Sequence, residues 1–142
     1  RQVAAGINKE NEVVTLCERI TSVEDFLDRN IVKVVRDQKQ QALYFSRAPI
    51  PCSPEVSAYK KIDSFSPEHL RHIGIYGYTF RQLENYVRAE PCKLELIEKL
   101  EQLRLLTYGI RIKVLEALIG SPRGVDTAED VKRVDFQLRE EK

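Results

Sequence analysis

Short apolar stretches rich in β-branched and aromatic residues recur along the chain, each bounded by polar or turn-forming residues. Such stretches are typical of β-strands. The stretch at 72–78 is apolar on both faces, which favours a central position in a sheet, whereas 110–118 opens with strict alternation of apolar and polar residues. The pattern predicts strands at residues 13–20, 32–36, 42–46, 72–78 and 110–118.

Helical segments are predicted between these strands. Thr21 or Ser22 can cap a short helix, a second short helix covers 80–87, and residues 1–6 resemble the end of another. A long helix is predicted from Pro91 to Gly109, because apolar residues recur there at a spacing of three and form a stripe that would pack on the sheet. The stripe consists of Leu94, Ile97, Leu100, Leu103 and Leu106.

The order of elements predicts an α/β fold in which a mixed sheet is flanked by helices. A final helix is predicted from Asp126 or Thr127 to about Arg139. Residues 48–68 contain four prolines and form a long loop, which in a compact domain is often functional.

Composition excludes several classes of function. The chain has 142 residues, 42% of them hydrophobic, and a net charge of +1 without a block of like charge, so neither a nucleic-acid nor a membrane partner is favoured. No apolar run approaches a membrane span, and no secretory signal opens the sequence. Because methionine is absent, we expect the chain to begin inside a longer product. The three widely spaced cysteines indicate free thiols in a reducing cytoplasm rather than a redox or zinc site.

Arg47 follows the predicted strand at 42–46, where the chain is then turned by two prolines. Ligands of open α/β sheets bind beyond the carboxyl ends of strands, and a guanidinium there can bind a carboxylate or a phosphate with two parallel hydrogen bonds. The alternative is that Arg47 is a solvated loop residue or one member of a structural ion pair.

Two further groups could bind a polyhydroxylated ligand. His72, Gly74 and Tyr76 share one face of the predicted central strand; the alternative is a core tyrosine beside a hydrogen-bonded histidine. Glu101 and Gln102 lie beside the apolar stripe and offer acceptors and donors to sugar hydroxyls, although a solvated helix face is the default explanation for them.

Asp126 lies at a loop-to-helix junction. A capping box explains it well, and a magnesium site is the functional alternative, although no second carboxylate is evident nearby. The phosphate-binding motifs G-x-x-x-x-G-K-[ST] and G-x-G-x-x-G are absent from the sequence.

Four segments in order, LYFSRAPIP at 43–51, RHIGIYGY at 71–78, LEQLRLL at 100–106 and GVDTAEDV at 124–131, resemble 3-deoxy-manno-octulosonate cytidylyltransferase, the CMP-Kdo synthetase family. The resemblance covers nearly the whole chain. It implies that residues 1–142 are the C-terminal part of a single cytidylyltransferase domain, containing its sugar-binding and dimerisation region, and that the N-terminal CTP-binding part is absent.

The resemblance implies a nucleotide-diphospho-sugar transferase fold of Rossmann-like type. It implies transfer of CMP from CTP to 3-deoxy-manno-octulosonate (Kdo), releasing pyrophosphate, in a cytoplasmic, magnesium-dependent homodimer that serves lipopolysaccharide biosynthesis. Both CTP and Kdo are expected substrates, and no residue of this chain is expected to act as a nucleophile. Two alternatives remain open: a non-catalytic sugar-binding or dimerisation module, and a related transferase for another acidic sugar.

By the same resemblance, one set of residues would hold Kdo and one aspartate would bind Mg²⁺ with a partner that lies before Arg1. Cys92-Lys93 and Ala128 depart from the usual pattern of the family but lie outside these positions. The implied sugar ligands are Arg47, His72, Tyr76, Glu101 and Gln102, and the implied metal ligand is Asp126.

Overall fold

The computed structural model describes residues 1–52, 65–120 and Asp135. Five strands and five helices lie along these residues. In chain order they are α1 Gln2–Gly6, β1 Val13–Arg19, α2 Val23–Leu27, β2 Lys33–Arg36, β3 Ala42–Ser46, β4 Leu70–Tyr78, α3 Phe80–Arg88, α4 Lys93–Glu98, α5 Gln102–Thr107 and β5 Lys113–Glu116. The predicted helix after residue 126 lies outside the described residues.

The strands form one mixed sheet in the order β3-β2-β4-β1-β5. Only β1 and β5 are parallel, and the other neighbours are antiparallel. The predicted central position of β4 is confirmed, and the predicted α/β class with a mixed sheet is confirmed with it. The β5 strand is shorter than the predicted 110–118, and β4 begins two residues earlier than its apolar run.

The core lies where the sheet meets α5. Leu103 and Leu105 of α5 are 1% exposed and belong to one apolar cluster with Phe45 of β3. The remaining buried members of this cluster come from four strands and the chain before α5 and β5, namely Val13, Cys17, Val34, Leu70, Leu100, Ile112 and Val114.

The opposite side of β4 is covered by α1. A Cβ on Gly77 would lie 2.7 Å from Ile7 Cδ1 and 2.8 Å from Val3 Cγ1, so a side chain at this position would clash with the helix. The chain therefore approaches β4 closely at Gly77. At Gly74, no described atom lies within 4 Å of the corresponding Cβ.

The long helix predicted from Pro91 to Gly109 is wrong, because the chain forms two helices with a break between them. Lys99, which ends α4, has left-handed backbone angles (φ 53°, ψ 51°). A spacing of three residues rotates the stripe by about 60° per step around an α-helix, so one straight helix cannot bury all five positions. Accordingly Leu100 is 4% exposed, whereas Ile97 is 76% exposed.

Candidate functional site

The end of β3 is held by Glu98, the last residue of α4. The Ser46 hydroxyl donates a hydrogen bond to Glu98 Oε1 (2.6 Å), and the backbone N–H of Arg47 donates to Glu98 Oε2 (3.0 Å). Both carboxylate oxygens are therefore used to tie the strand to the helix, and the position of Arg47 depends on this carboxylate.

The Arg47 guanidinium binds three backbone carbonyls. It donates from Nε to Glu98 O (2.9 Å), from Nη1 to Arg29 O (3.0 Å) and from Nη2 to Lys99 O (3.4 Å). The contacts with Glu98 and Lys99 satisfy carbonyl groups at the break between α4 and α5, which the helices themselves leave without partners, and the third contact reaches the turn between α2 and β2. Arg47 therefore has a structural role at the break, and two of its five N–H donors remain for a ligand.

Lys33 stabilises the turn between α2 and β2, which Arg47 also contacts. Its side chain is fully buried, and Nζ donates to Asp28 O (2.7 Å) and Ile31 O (2.5 Å). Burial lowers the pKa of Lys33 to about 8, and the nearby positive charge of Arg47 also lowers it. The turn between α2 and β2 is thus held by two cationic side chains, Lys33 and Arg47.

A row of aromatic rings extends from β3 along β4 to α3. Successive ring centroids are 5.0 Å apart between Phe45 and His72, 5.3 Å between His72 and Tyr76, 5.7 Å between Tyr76 and Tyr78, and 6.3 Å between Tyr78 and Tyr86. We call Phe45, His72, Tyr76, Tyr78 and Tyr86 the aromatic row. The prediction that His72 and Tyr76 share a face of the strand is confirmed by their contact.

The far end of the aromatic row is closed by an ion pair. The Arg104 guanidinium lies 4.7 Å from the centroid of the Tyr86 ring and donates from Nε to Glu95 Oε2 (2.7 Å). Glu95 also accepts from the backbone N–H of Cys92, whose sulfur caps α4. The start of α4 is thereby attached to the aromatic row.

His72 is neutral near pH 7. Burial lowers its pKa to about 4, and its Nε2 lies 2.9 Å from Thr15 Oγ1. Its other ring nitrogen, Nδ1, has no hydrogen-bond partner within the described part of the chain. Nε2 of His72 therefore takes part in a hydrogen bond within the fold, whereas Nδ1 is available to bind a ligand.

The Tyr76 hydroxyl is buried and has no hydrogen-bond partner among the residues that the structure describes. Burial is the main cause that raises the pKa of Tyr76, and the Glu101 carboxylate contributes. Burial likewise raises the pKa of Tyr78 to about 12, again with a contribution from Glu101. Since an orphaned buried hydroxyl is rare in folded proteins, Tyr76 marks a place for a ligand or water.

Glu101 and Gln102 lie where α5 begins. Glu101 is exposed and caps no backbone group, whereas Gln102 is 2% exposed and makes no side-chain hydrogen bond with any described residue. Burial is the main cause that raises the pKa values of Tyr76, Tyr78 and Tyr86, and the negative charge of Glu101 contributes to all three. Glu101 therefore acts electrostatically on the aromatic row, while Arg47 is joined to the same helix break through Lys99.

The predicted metal ligand Asp126 lies outside the described residues. Within residues 1–52, 65–120 and Asp135, no group of three or more His, Cys, Asp or Glu side chains could hold a metal ion. No helix of the described part is long and apolar enough to cross a membrane.

Several residues around this site were not predicted from the sequence. Tyr78 continues the alternation of His72 and Tyr76, so the pattern on β4 contained a signal for it. Lys33, Glu98 and Thr15 carried none, because their roles depend on backbone carbonyls and rings that are distant in sequence.

Comparisons with known proteins place the whole chain in one group. Residues 1–112 match the cytidylyltransferase family. The chain is 42% identical to the 3-deoxy-manno-octulosonate cytidylyltransferase of Alcanivorax borkumensis, covering 96% of this chain and 55% of that protein. It is 48% identical to the protein of the same name from Erwinia tasmaniensis, covering 98% of this chain and 56% of that protein.

A solved structure shows the same fold. It is a CMP:2-keto-3-deoxy-manno-octonic acid synthetase complexed with CTP, with a TM-score of 0.81 and 35% sequence identity, covering 99% of this chain and 55% of that one. The predicted nucleotide-diphospho-sugar transferase fold and the resemblance inferred from the four segments are confirmed. The chain spans slightly more than half the length of the relatives that it matches.

Proposed function

The chain belongs to the cytidylyltransferase family, and from this premise we propose that the protein carrying it transfers CMP from CTP to Kdo and releases pyrophosphate. In this proposal residues 1–142 supply the sugar side of the site. The names of the relatives support Kdo as the acceptor, and the CTP complex of the similar structure supports CTP as the donor.

The observation that carries the proposal is the buried Tyr76 hydroxyl, which has no partner among the described residues, on a ring that contacts His72. Kdo has several hydroxyls and one carboxylate. The hydroxyls suit the neutral groups of the aromatic row, and the carboxylate suits the two remaining donors of Arg47. Gln102, buried at the start of α5, is the fifth proposed sugar ligand.

The chemistry proposed for these residues is binding and orientation. A nucleotidyl transfer needs the acceptor hydroxyl held in line with the α-phosphate, and positioning with charge neutralisation contributes most of the rate. The tilted and stacked rings along β4 exclude water from one side of the sugar, while Arg47 neutralises its carboxylate. Magnesium, when bound, supplies charge neutralisation on the phosphates, and Asp126 is its proposed ligand in this chain.

Calorimetric titration of the protein that carries this chain, with Kdo and with CTP, tests the sugar assignment. We expect Arg47→Ala to weaken Kdo binding about ten- to hundredfold, the range for a lost charge-assisted hydrogen bond, without a comparable change for CTP. Arg111→Ala is the matched control, because Arg111 is exposed and lies after α5 and not at the break between α4 and α5. Equal losses for both ligands contradict a role in binding the sugar carboxylate.

The activity of the 142 residues alone tests the proposed division of the site. Lacking the nucleotide side, they should release no pyrophosphate from CTP, Kdo and magnesium, and measurable release contradicts the proposal. In the protein that carries the chain, Asp126→Asn should weaken the dependence of the rate on magnesium. An unchanged metal titration leaves Asp126 with its capping role only.

We also propose that the protein is a homodimer, and one helix face supports this. Phe80, Leu83 and Val87 lie within about 60° of one another around α3 and are 77%, 44% and 73% exposed. Light scattering of the protein carrying Val87→Asp should show a smaller particle than the unchanged protein. Leu43→Asp, at an exposed apolar position on β3, is the control.

A further inference from the structure

Thr15 lies at an irregularity between the two central strands. It is fully buried on β1 opposite Tyr76, while the next residue, Leu16, pairs with Ile73, so β4 has two extra residues there. The extra residues turn two carbonyls toward the threonine. Thr15 Oγ1 lies 2.8 Å from Ile75 O and 3.2 Å from Ile73 O.

The same hydroxyl lies 2.9 Å from His72 Nε2. A threonine hydroxyl has one hydrogen, and a carbonyl oxygen only accepts. The hydrogen of Thr15 must therefore point to a carbonyl, in the first place that of Ile75, because two oxygens at 2.8 Å without a hydrogen between them repel. Oγ1 is then left as an acceptor for His72, so Nε2 of His72 carries a proton.

We propose that Thr15 is a positioning residue that holds His72 in the Nε2–H tautomer, so that Nδ1 serves as a hydrogen-bond acceptor for a hydroxyl of a polyhydroxylated ligand. A neutral imidazole with a proton on Nε2 has its free lone pair on Nδ1. Burial supports the neutral state by lowering the pKa of His72 to about 4.

The neighbouring ring supplies the complementary group. Tyr76 has a buried hydroxyl that can donate, and its ring centroid is 5.3 Å from that of His72. An acceptor on His72 and a donor on Tyr76 can bind two adjacent hydroxyls of a sugar. A cationic histidine, in contrast, would bind the carboxylate, which we assign to Arg47. Identifying the ligand as Kdo rests on the proposed function, whereas the tautomer of His72 does not.

Nitrogen-15 NMR of the chain labelled at histidine tests the tautomer, because the chain has only two histidines. His69 is an internal control, since its Nδ1 accepts from the Ser66 backbone N–H (3.0 Å) and is therefore also unprotonated. Near pH 7 we expect both histidines to show the proton on Nε2. An Nδ1–H form of His72 in the unchanged chain overturns the proposal before any variant is made.

Variants at Thr15 test whether this residue holds His72 in the Nε2–H tautomer. Thr15→Val keeps the shape of the side chain but removes the acceptor, so His72 should change to a mixture of tautomers while His69 keeps its signals. Thr15→Ser, which retains the hydroxyl, should restore the original spectrum. His72 signals that stay unchanged in a Thr15→Val variant with an intact His69 spectrum overturn the role of Thr15.

Titration with Kdo tests the acceptor role. Binding should shift Nδ1 of His72 and leave His69 in place, and Thr15→Val should weaken binding by about tenfold. Binding detected by calorimetry without a shift at His72 overturns the acceptor role alone. A complete absence of Kdo binding overturns the acceptor role together with the proposed function, while the tautomer is decided by the spectrum of the free chain.

Discussion

The end of β3 and the aromatic row both contain residues predicted to hold the sugar, yet their polar groups are used differently. At the β3 end, Arg47, Lys33 and Glu98 are occupied by hydrogen bonds to the protein itself. In the aromatic row, the Tyr76 hydroxyl and Nδ1 of His72 have no partner within the described residues. The polar groups at the β3 end thus bind the protein itself, whereas two polar atoms of the aromatic row are left without a partner within the described residues.

The difference shows that polar residues near a candidate site can either stabilise the fold or remain available to bind a ligand. A charged side chain that binds backbone carbonyls stabilises loops and positions what lies next to them. A buried polar atom without a partner destabilises the fold by about 1–3 kcal/mol unless a ligand or water binds it. The β3 end is therefore mainly a support, and the aromatic row is the better candidate for contact with the ligand hydroxyls.

Phe45 joins the two regions, so its removal should have the largest effect. It is fully buried on β3, next to Ser46, and packs edge to face on His72. We expect Phe45→Ala to lower the free energy of unfolding by about 3–5 kcal/mol through lost burial and a cavity. Urea denaturation measures this. Leu43→Ala, at a position that is 62% exposed on the same strand, should change stability by less than about 0.5 kcal/mol.

Acid should weaken the fold through His72 of the aromatic row. The pKa of His72 is lowered to about 4 in the fold, while that of an unfolded histidine is about 6.5. Between these values the unfolded chain binds a proton that the folded chain does not, so stability falls as pH decreases from about 6.5 to 4, by up to about 3 kcal/mol.

Unfolding free energies measured across this pH range check the effect. His72→Gln should remove most of the slope between pH 6.5 and 4. The carboxyls of Glu12 and Glu95, whose pKa values are lowered by hydrogen bonds from Arg81 and Arg104, contribute at lower pH. A slope that persists in the His72→Gln variant contradicts the assignment.

Glu98→Gln tests whether the β3 end is a support. The variant keeps the size of the side chain but replaces a carboxylate that accepts from Ser46 and Arg47, and we expect it to lose about 1–2 kcal/mol of stability. Kdo binding should weaken less than in Arg47→Ala. Glu84→Gln, in an exposed pair with Arg88, is the control and should change stability by less than about 0.5 kcal/mol.

Tyr76→Phe should have the smallest effect on stability and separates the two regions most sharply. Because the hydroxyl has no partner within the described structure, its removal should leave stability unchanged or slightly raised. Kdo binding should weaken by about tenfold if the hydroxyl donates to the sugar. A loss of stability of more than about 1 kcal/mol, with unchanged binding, indicates a structural hydrogen bond instead.

Much of the fold could be predicted from the sequence because strand and helix patterns are local. The alternation and β-branched content of 13–20, 32–36 and 42–46 located β1, β2 and β3 within about two residues, and the apolar run at 72–78 predicted the central strand. The prediction of one long helix was wrong at Lys99, because the break there is stabilised by Arg47, which lies 52 residues earlier.

The sequence by itself determined the class of fold and the family, since these depend on local pattern and on ordered motifs. Only the tertiary structure decided which polar atoms are already used. Arg47 is attached to three carbonyls from two distant segments, and Thr15 reaches His72 across a strand irregularity. Hydrogen-bond partners far apart in the chain are brought together by packing, so their assignment has no signature in one sequence.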